Sequence, residues 1–136
     1  MIIDATNKVV GRLASMTAKK LLAGDEIIIV NSGEAIITGK PLVVKARYEH
    51  KVERGDRRKG PFIHRLPEGI LTRAVRGMLP RTKPKGRAAL KRLKIFQNCP
   101  EDYKNSETYG KDITEIRCKY IKLKDLSKFL GAKVGE

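Results

Sequence analysis

The stretch Ile27-Ile28-Ile29-Val30-Asn31-Ser32-Gly33 decides the fold class. Four consecutive β-branched residues have stiff side chains that suit a pleated backbone, and an unbroken apolar run of that length fits a strand buried on both faces. Asn-Ser-Gly then stops it. Strands covered on both faces belong to parallel sheets, whose crossover connections are helices. The segments on either side should therefore be helical, and their patterns agree. Upstream, Met1-Ile2-Ile3 reads as a short strand ending at Asp4, and Thr6-Asn7 offers a cap for a helix beginning near Val10. Ala14, Ala18, Leu21 and Leu22 share one face of that helix, and Gly24 suits its end. Downstream, Ala35-Ile36-Ile37 is a weaker strand closed by Gly39, and Pro41 fits the first turn of a helix running to about Val52.

Further along, Gly55 to Gly60 encloses Asp56-Arg57-Arg58-Lys59 and reads as an exposed basic loop. Pro67 opens a helix in which Ile70, Leu71, Ala74, Val75 and Met78 gather on one side, with Thr72, Arg73 and Arg76 opposite. Pro80 follows its end, and residues 81–87 read as a basic loop that stays mobile until phosphates neutralise it. A short helix then buries Ala89, Leu90 and Leu93 and turns Arg87, Lys91 and Arg92 outward, before a strand at Ile95-Phe96. Tyr120 to Leu123 is a possible strand, and Leu126, Phe129 and Leu130 form the inner side of a last helix closed by Gly131. Strands alternating with helices indicate a layered α/β domain. At 136 residues the chain makes one domain, long enough to bury about two thirds of its unfolded surface.

Composition narrows the function. With 30 Lys+Arg against 15 Asp+Glu the net charge is +15, while 40% of residues are hydrophobic, too many for a disordered basic tail. Residues 1–40 and 101–136 each carry a net +1; residues 41–100 hold seventeen basic and four acidic side chains, a net +13. That density in a folded domain calls for a polyanionic partner. No lipidation signal or aromatic-flanked amphipathic helix points to a membrane surface, and no apolar run approaches the roughly 20 residues that span a bilayer. Aromatics are 5% of the chain with no Trp, so base stacking along a single strand is a poor fit and folded RNA or duplex held through phosphates a better one. Cys99 and Cys118 form no CxxC pattern and read as small core residues, and the absence of a signal-like start suggests a cytoplasmic setting.

Enzyme motifs fail on spacing. Gly33 to Lys40 superficially resembles a phosphate-binding loop, but five residues separate its glycines instead of the motif's four, and Pro41 stands where Ser/Thr would hold magnesium. His50 and His64 lie in no metal-ligand cluster and are either buried or RNA-facing. Ser15 has no nucleophile elbow, and Glu101-Asp102 lacks a second carboxylate at useful spacing. No catalytic residues, metal, cofactor or small-molecule substrate are expected. A small α/β enzyme acting on nucleic acid or nucleotide is the alternative.

Asp4-Ala5, Gly11-Arg12-Leu13-Ala14-Ser15, Ile29-Val30-Asn31, Gly39 and Ala74-Val75-Arg76-Gly77-Met78-Leu79-Pro80 together resemble the universal large-subunit ribosomal protein L13 family over nearly the whole chain. The two longer motifs, in this order and about sixty residues apart, are far more specific together than either alone. The bacterial pattern's Trp-bearing extension before Asp4-Ala5 and its basic insertion before Ile27 are missing, as is the eukaryotic C-terminal helical extension, so the archaeal type is expected. The resemblance implies a single-domain, three-layer α/β/α sandwich around a mainly parallel sheet. It also implies a structural, non-enzymatic role on large-subunit ribosomal RNA beside neighbouring ribosomal proteins, as one copy within the ribosome.

The RNA-binding segment is placed at about residues 45–94, with the main surface at 73–92. Arg73 and Arg76 are candidate phosphate ligands, and Gly77 a point of close backbone approach. Arg76 could instead be a surface ion pair with Glu68. Arg81, Lys83, Lys85 and Arg87 surround a helix start at Gly86 whose free N–H groups attract anions. Lys91 and Arg92 extend that face. Arg57, Arg58 and Lys59 are either contacts or solvated loop charges. Arg12, ill placed for its helix dipole, completes the set with Lys40, Arg47, His64 and Arg65.

Overall fold

The computed structural model describes residues 1–104 and 117–134. The decisive stretch forms β2 (Ile27–Val30), the middle strand of a three-stranded sheet between β1 (Ile2–Asp4) and β4 (Leu93–Ile95). Both pairings are parallel, Ile2 facing Ile28 and Ile27 facing Leu93. Ile27, Ile29 and Val30 are fully buried, as an inner strand of an α/β sheet requires. The crossover from β1 to β2 is α1 (Val10–Ala23), which buries Leu13, Ala14, Thr17, Ala18 and Leu21. Gly24 ends it in the left-handed region at φ 116°, donating its N–H back to Leu21. The expected Thr6-Asn7 cap does not form. Thr6 directs its hydroxyl and N–H to Asp4 Oδ1 instead, and Val9 occupies the cap position without a side-chain bond. Burial alone would raise the Asp4 carboxyl. The Thr6 bonds, a third from Asn31 and the charge of Lys8 together hold it below its ordinary value.

A 3-10 turn, Ser32–Glu34, follows β2 and leads to β3 (Ile36–Thr38), which pairs antiparallel with β5 (Tyr120–Lys122) as a separate two-stranded sheet. Four more helices complete the described fold: α2 (Pro41–Glu53), α3 (Pro67–Met78), α4 (Pro84–Lys91) and α5 (Leu123–Phe129). Pro stands at the start of α2, α3 and α4, where its missing N–H has no intrahelical role. The result is a single α/β domain, five helices packing on a parallel sheet with a small antiparallel pair. One core joins Ile3, Leu21, Ile27, Ile29, Leu71, Val75, Leu123 and Leu126.

Several side chains differ from the periodicity. Met78 is 45% exposed because α3 stops there, and Leu79, turned by an extended backbone, takes the inner place. Phe129 is 43% exposed, with Lys45 Nζ 5.1 Å from its ring centre. Leu93 belongs to β4, not to the helix before it. Cys99 is half-buried beside Pro100, and Cys118 lies exposed before β5 rather than in the core. The basic loop expected at 81–87 contracts to three residues, because α4 already begins at Pro84.

Candidate nucleic-acid interface

The cationic segment folds as three helices and the connections between them. In α3 the burial of Ile70, Leu71 and Val75 fixes the helix rotation, so Arg73 is left exposed and Arg76 half-exposed on the outer side. Among the described residues neither is ion-paired, and Glu68 does not reach Arg76. Gly77 is exposed, and a Cβ placed there would meet nothing within 4 Å. The edge of α3 beyond Arg76 is therefore unobstructed at Gly77.

Arg81, Lys83, Lys85, Arg87 and Lys91 are all exposed along the turn into α4 and its outer face. Two members of the expected set are not. Gly86 is buried, and a Cβ there would collide with the Pro80 carbonyl oxygen; its N–H bonds to Lys83 O, and that of Arg87 to the same oxygen. Gly86 thus lets α4 dock on the end of α3 and is not a phosphate-facing donor. Arg92 turns inward, with Nη2 donating 2.8 Å to Leu21 O at the end of α1 and Nε fully shielded. A guanidinium with that partner ties α1 to the end of α4 and is not presented outward.

The segment between α2 and α3 is built rather than loose. Asp56 and Gly60 exchange both backbone hydrogen bonds, 3.0 and 2.9 Å, and Asp56 Oδ1 accepts the Arg58 N–H. This small hairpin carries Arg57, Arg58 and Lys59 exposed at its tip. Gly55, at φ 105°, turns the chain where any Cβ would strike Pro61. The chain returning from it lays His64 on Gly69 of α3, where an added Cβ would come within 2.7 Å of the His64 Cβ. His64 and Arg65 stay exposed.

In α2 the inward stripe is Val44, Tyr48 and Val52, one residue per turn, and only Val44 is fully buried. Tyr48 faces α3. Burial raises its hydroxyl above the ordinary value while the positive charges of Arg47 and Arg73 pull it back, which places an arginine from each helix beside one ring. Lys51 Nζ stands 5.0 Å from the centre of that ring. A groove of about 400 Å³ runs between the helices here, and its lining includes Tyr48, Ile63, Ala74 and Met78 together with Lys51, His64 and Arg73. Sequence reading passed over Tyr48 and Lys51. The signal was present as the 44, 48, 52 spacing, masked by Leu42 and Val43, which are apolar and exposed.

Arg12 is exposed in the first turn of α1, and Lys40 at the start of α2. Lys40 stands apart from the α3–α4 cations, on the side where Arg117 and Lys119 adjoin Pro41. Among the described residues no group of three His, Cys, Asp or Glu could hold a metal ion, and no helix is long and apolar enough to cross a membrane.

Comparison with known proteins identifies the family. The sequence profile described as Ribosomal protein L13 matches residues 1–102. The large ribosomal subunit protein uL13 of Archaeoglobus fulgidus is 40% identical over 140 residues, covering 96% of this chain and 86% of that one. Those of Methanocaldococcus jannaschii and Methanosarcina barkeri are 43% and 40% identical, each covering 97% of this chain and 98% of its own. With its parallel sheet, its motifs in order and relatives matched almost end to end, the chain belongs to the ribosomal protein L13 family, and its curated relatives named here are archaeal.

Proposed function

We propose that the protein is a structural constituent of the large ribosomal subunit that grips folded ribosomal RNA during assembly, chiefly through residues 45–94. Family membership supports the ribosomal role and removes the enzyme alternative. The observation that carries RNA binding is the unpaired row of Arg73 and Arg76 on α3, continued by Arg81, Lys83, Lys85, Arg87 and Lys91 and bordered by the open backbone at Gly77. Guanidinium groups held on a rigid helix meet phosphates with little further ordering, and each charge-assisted bond is among the stronger kinds. The hairpin tip at Arg57, Arg58 and Lys59 offers a second hold, Arg47 on α2 and Arg65 just before α3 are further exposed contacts, and Arg12 and Lys40 are outlying ones. The partners are large-subunit ribosomal RNA and adjacent ribosomal proteins, with one copy per subunit in the cytoplasm; neither cofactor nor small-molecule substrate has a part in this reading.

Two measurements test it. The protein should co-sediment with large subunits in molar amount at physiological salt. Its affinity for large-subunit RNA fragments should fall with salt at a logarithmic slope of roughly 0.7–0.9 per phosphate contact. A protein free in the supernatant, or a flat salt titration, would refute the proposal.

A further inference from the structure

We propose that the groove between α2 and α3 receives one unstacked nucleobase of the RNA, with Tyr48 as its stacking surface; this rests on the RNA-binding reading above. The groove, about 400 Å³, lies in the ~300–1,000 Å³ range of sites that enclose small organic groups. Its lining mixes apolar and polar surface, with Tyr48 on α2 and Ala74 and the exposed Met78 on α3 supplying apolar faces. Lys51 and Arg73 bring positive charge to the lining, and none of the lining residues is acidic. Apolar faces beside positive charge match a base attached to a phosphodiester, because the ring can leave water while its own phosphates stay near the cations. Gly77 leaves the mouth unobstructed on the α3 side.

Lys51 adds a further point. Its ammonium stands over the Tyr48 ring, on a long flexible side chain. An incoming base can take that place at the aromatic surface while the ammonium swings to the nucleotide's phosphate. One interaction of the free protein is exchanged for two in the complex. A single base in one groove differs from successive stacking along a strand, for which the chain has too few aromatics. It agrees with RNA recognition generally, in which bases of loops and bulges are splayed out onto protein rings.

The test compares salt titrations of the full-length protein and three variants on transcribed large-subunit RNA, with thermal melts as the folding control. Tyr48→Leu should bind about tenfold or more weakly at every salt concentration with an unchanged slope, since stacking releases no counterions. Tyr48→Phe should bind like the parent. Arg73→Ala should lower both affinity and slope. Ultraviolet cross-linking of the parent complex should leave a nucleotide adduct on the peptide holding Tyr48 or on that holding Met78. If the parent shows a steep slope but Tyr48→Leu binds equally well and both peptides are unmodified, the groove holds no base and the wider RNA-binding reading stands. Protection of Tyr48 that arises only when other large-subunit proteins join the RNA would assign the groove to a protein segment and overturn the inference. A parent without salt-dependent RNA binding would defeat the wider reading itself.

Discussion

Helices α2 and α3 are of similar length, both begin with proline, both display cations and face each other across one groove, yet they are anchored very differently. α3 sinks Pro67, Ile70, Leu71 and Val75 into the core, whereas α2 fully buries only Val44 and leaves Leu42 81% exposed. A cation on α3 has its position fixed by the interior; one on α2 hangs from a single stripe. Presenting charge and holding it in place are therefore separate properties, and the electrostatic footprint of a sequence reports only the first.

The sharpest way to break this contrast is Val75→Asp, which puts an unpaired carboxylate into the α3 anchor. Loss of about 4 kcal/mol or more is expected, enough to unfold the domain in a thermal melt with or without RNA. A variant melting like the parent would mean that α3 is not the anchored partner. Arg76→Ala probes the opposite face of the same helix. Its stability should change by no more than about 0.5 kcal/mol, while filter binding to RNA should weaken by roughly 1.5–3 kcal/mol. Wild-type affinity would remove that face from the interface.

Arg92→Ala sharpens the distinction between a cation and a contact. Loss of the bond to Leu21 O should cost about 1 kcal/mol in denaturant unfolding and leave the salt slope of RNA binding unchanged. A slope reduced by one contact would restore Arg92 to the RNA surface. The smallest effect belongs to Leu42→Ala on α2: exposed as the side chain is, stability should shift by less than about 0.5 kcal/mol. A drop as large as that expected for an inner leucine would show α2 to be as firmly rooted as α3.

The sheet, α1 and α3 were legible because their signals are local. A β-branched run, a 3.6-residue period and a terminal glycine each act within a few positions. Part of what escaped depends on partners distant in sequence. Arg92 shows no local mark of burial, since its acceptor at Leu21 lies 71 residues away. Gly86 read as an anion-attracting helix start, but its lack of a Cβ serves the close approach of Pro80. Met78 and Leu79 exchanged roles because the helix ended between them, a boundary that hydrophobic periodicity does not mark. In the proposed RNA-facing set, outward charges on an anchored helix could be read directly, whereas the Tyr48 groove requires two helices to be brought together first.

The strand order has a consequence for how the molecule is made. Ile27 of the central strand awaits Leu93, so the sheet lacks its third strand until everything from α2 through α4 has been synthesised. Contacts so widely separated in sequence slow folding, because the intervening chain must be closed into a loop before they contribute. Here that intervening chain holds most of the net positive charge, whose self-repulsion opposes the closure. Salt, or a strand of nascent RNA lying along it, relieves that repulsion. If the protein grips RNA as proposed, that polyanion would also hasten the sheet's third strand into place, coupling the folding of protein and RNA.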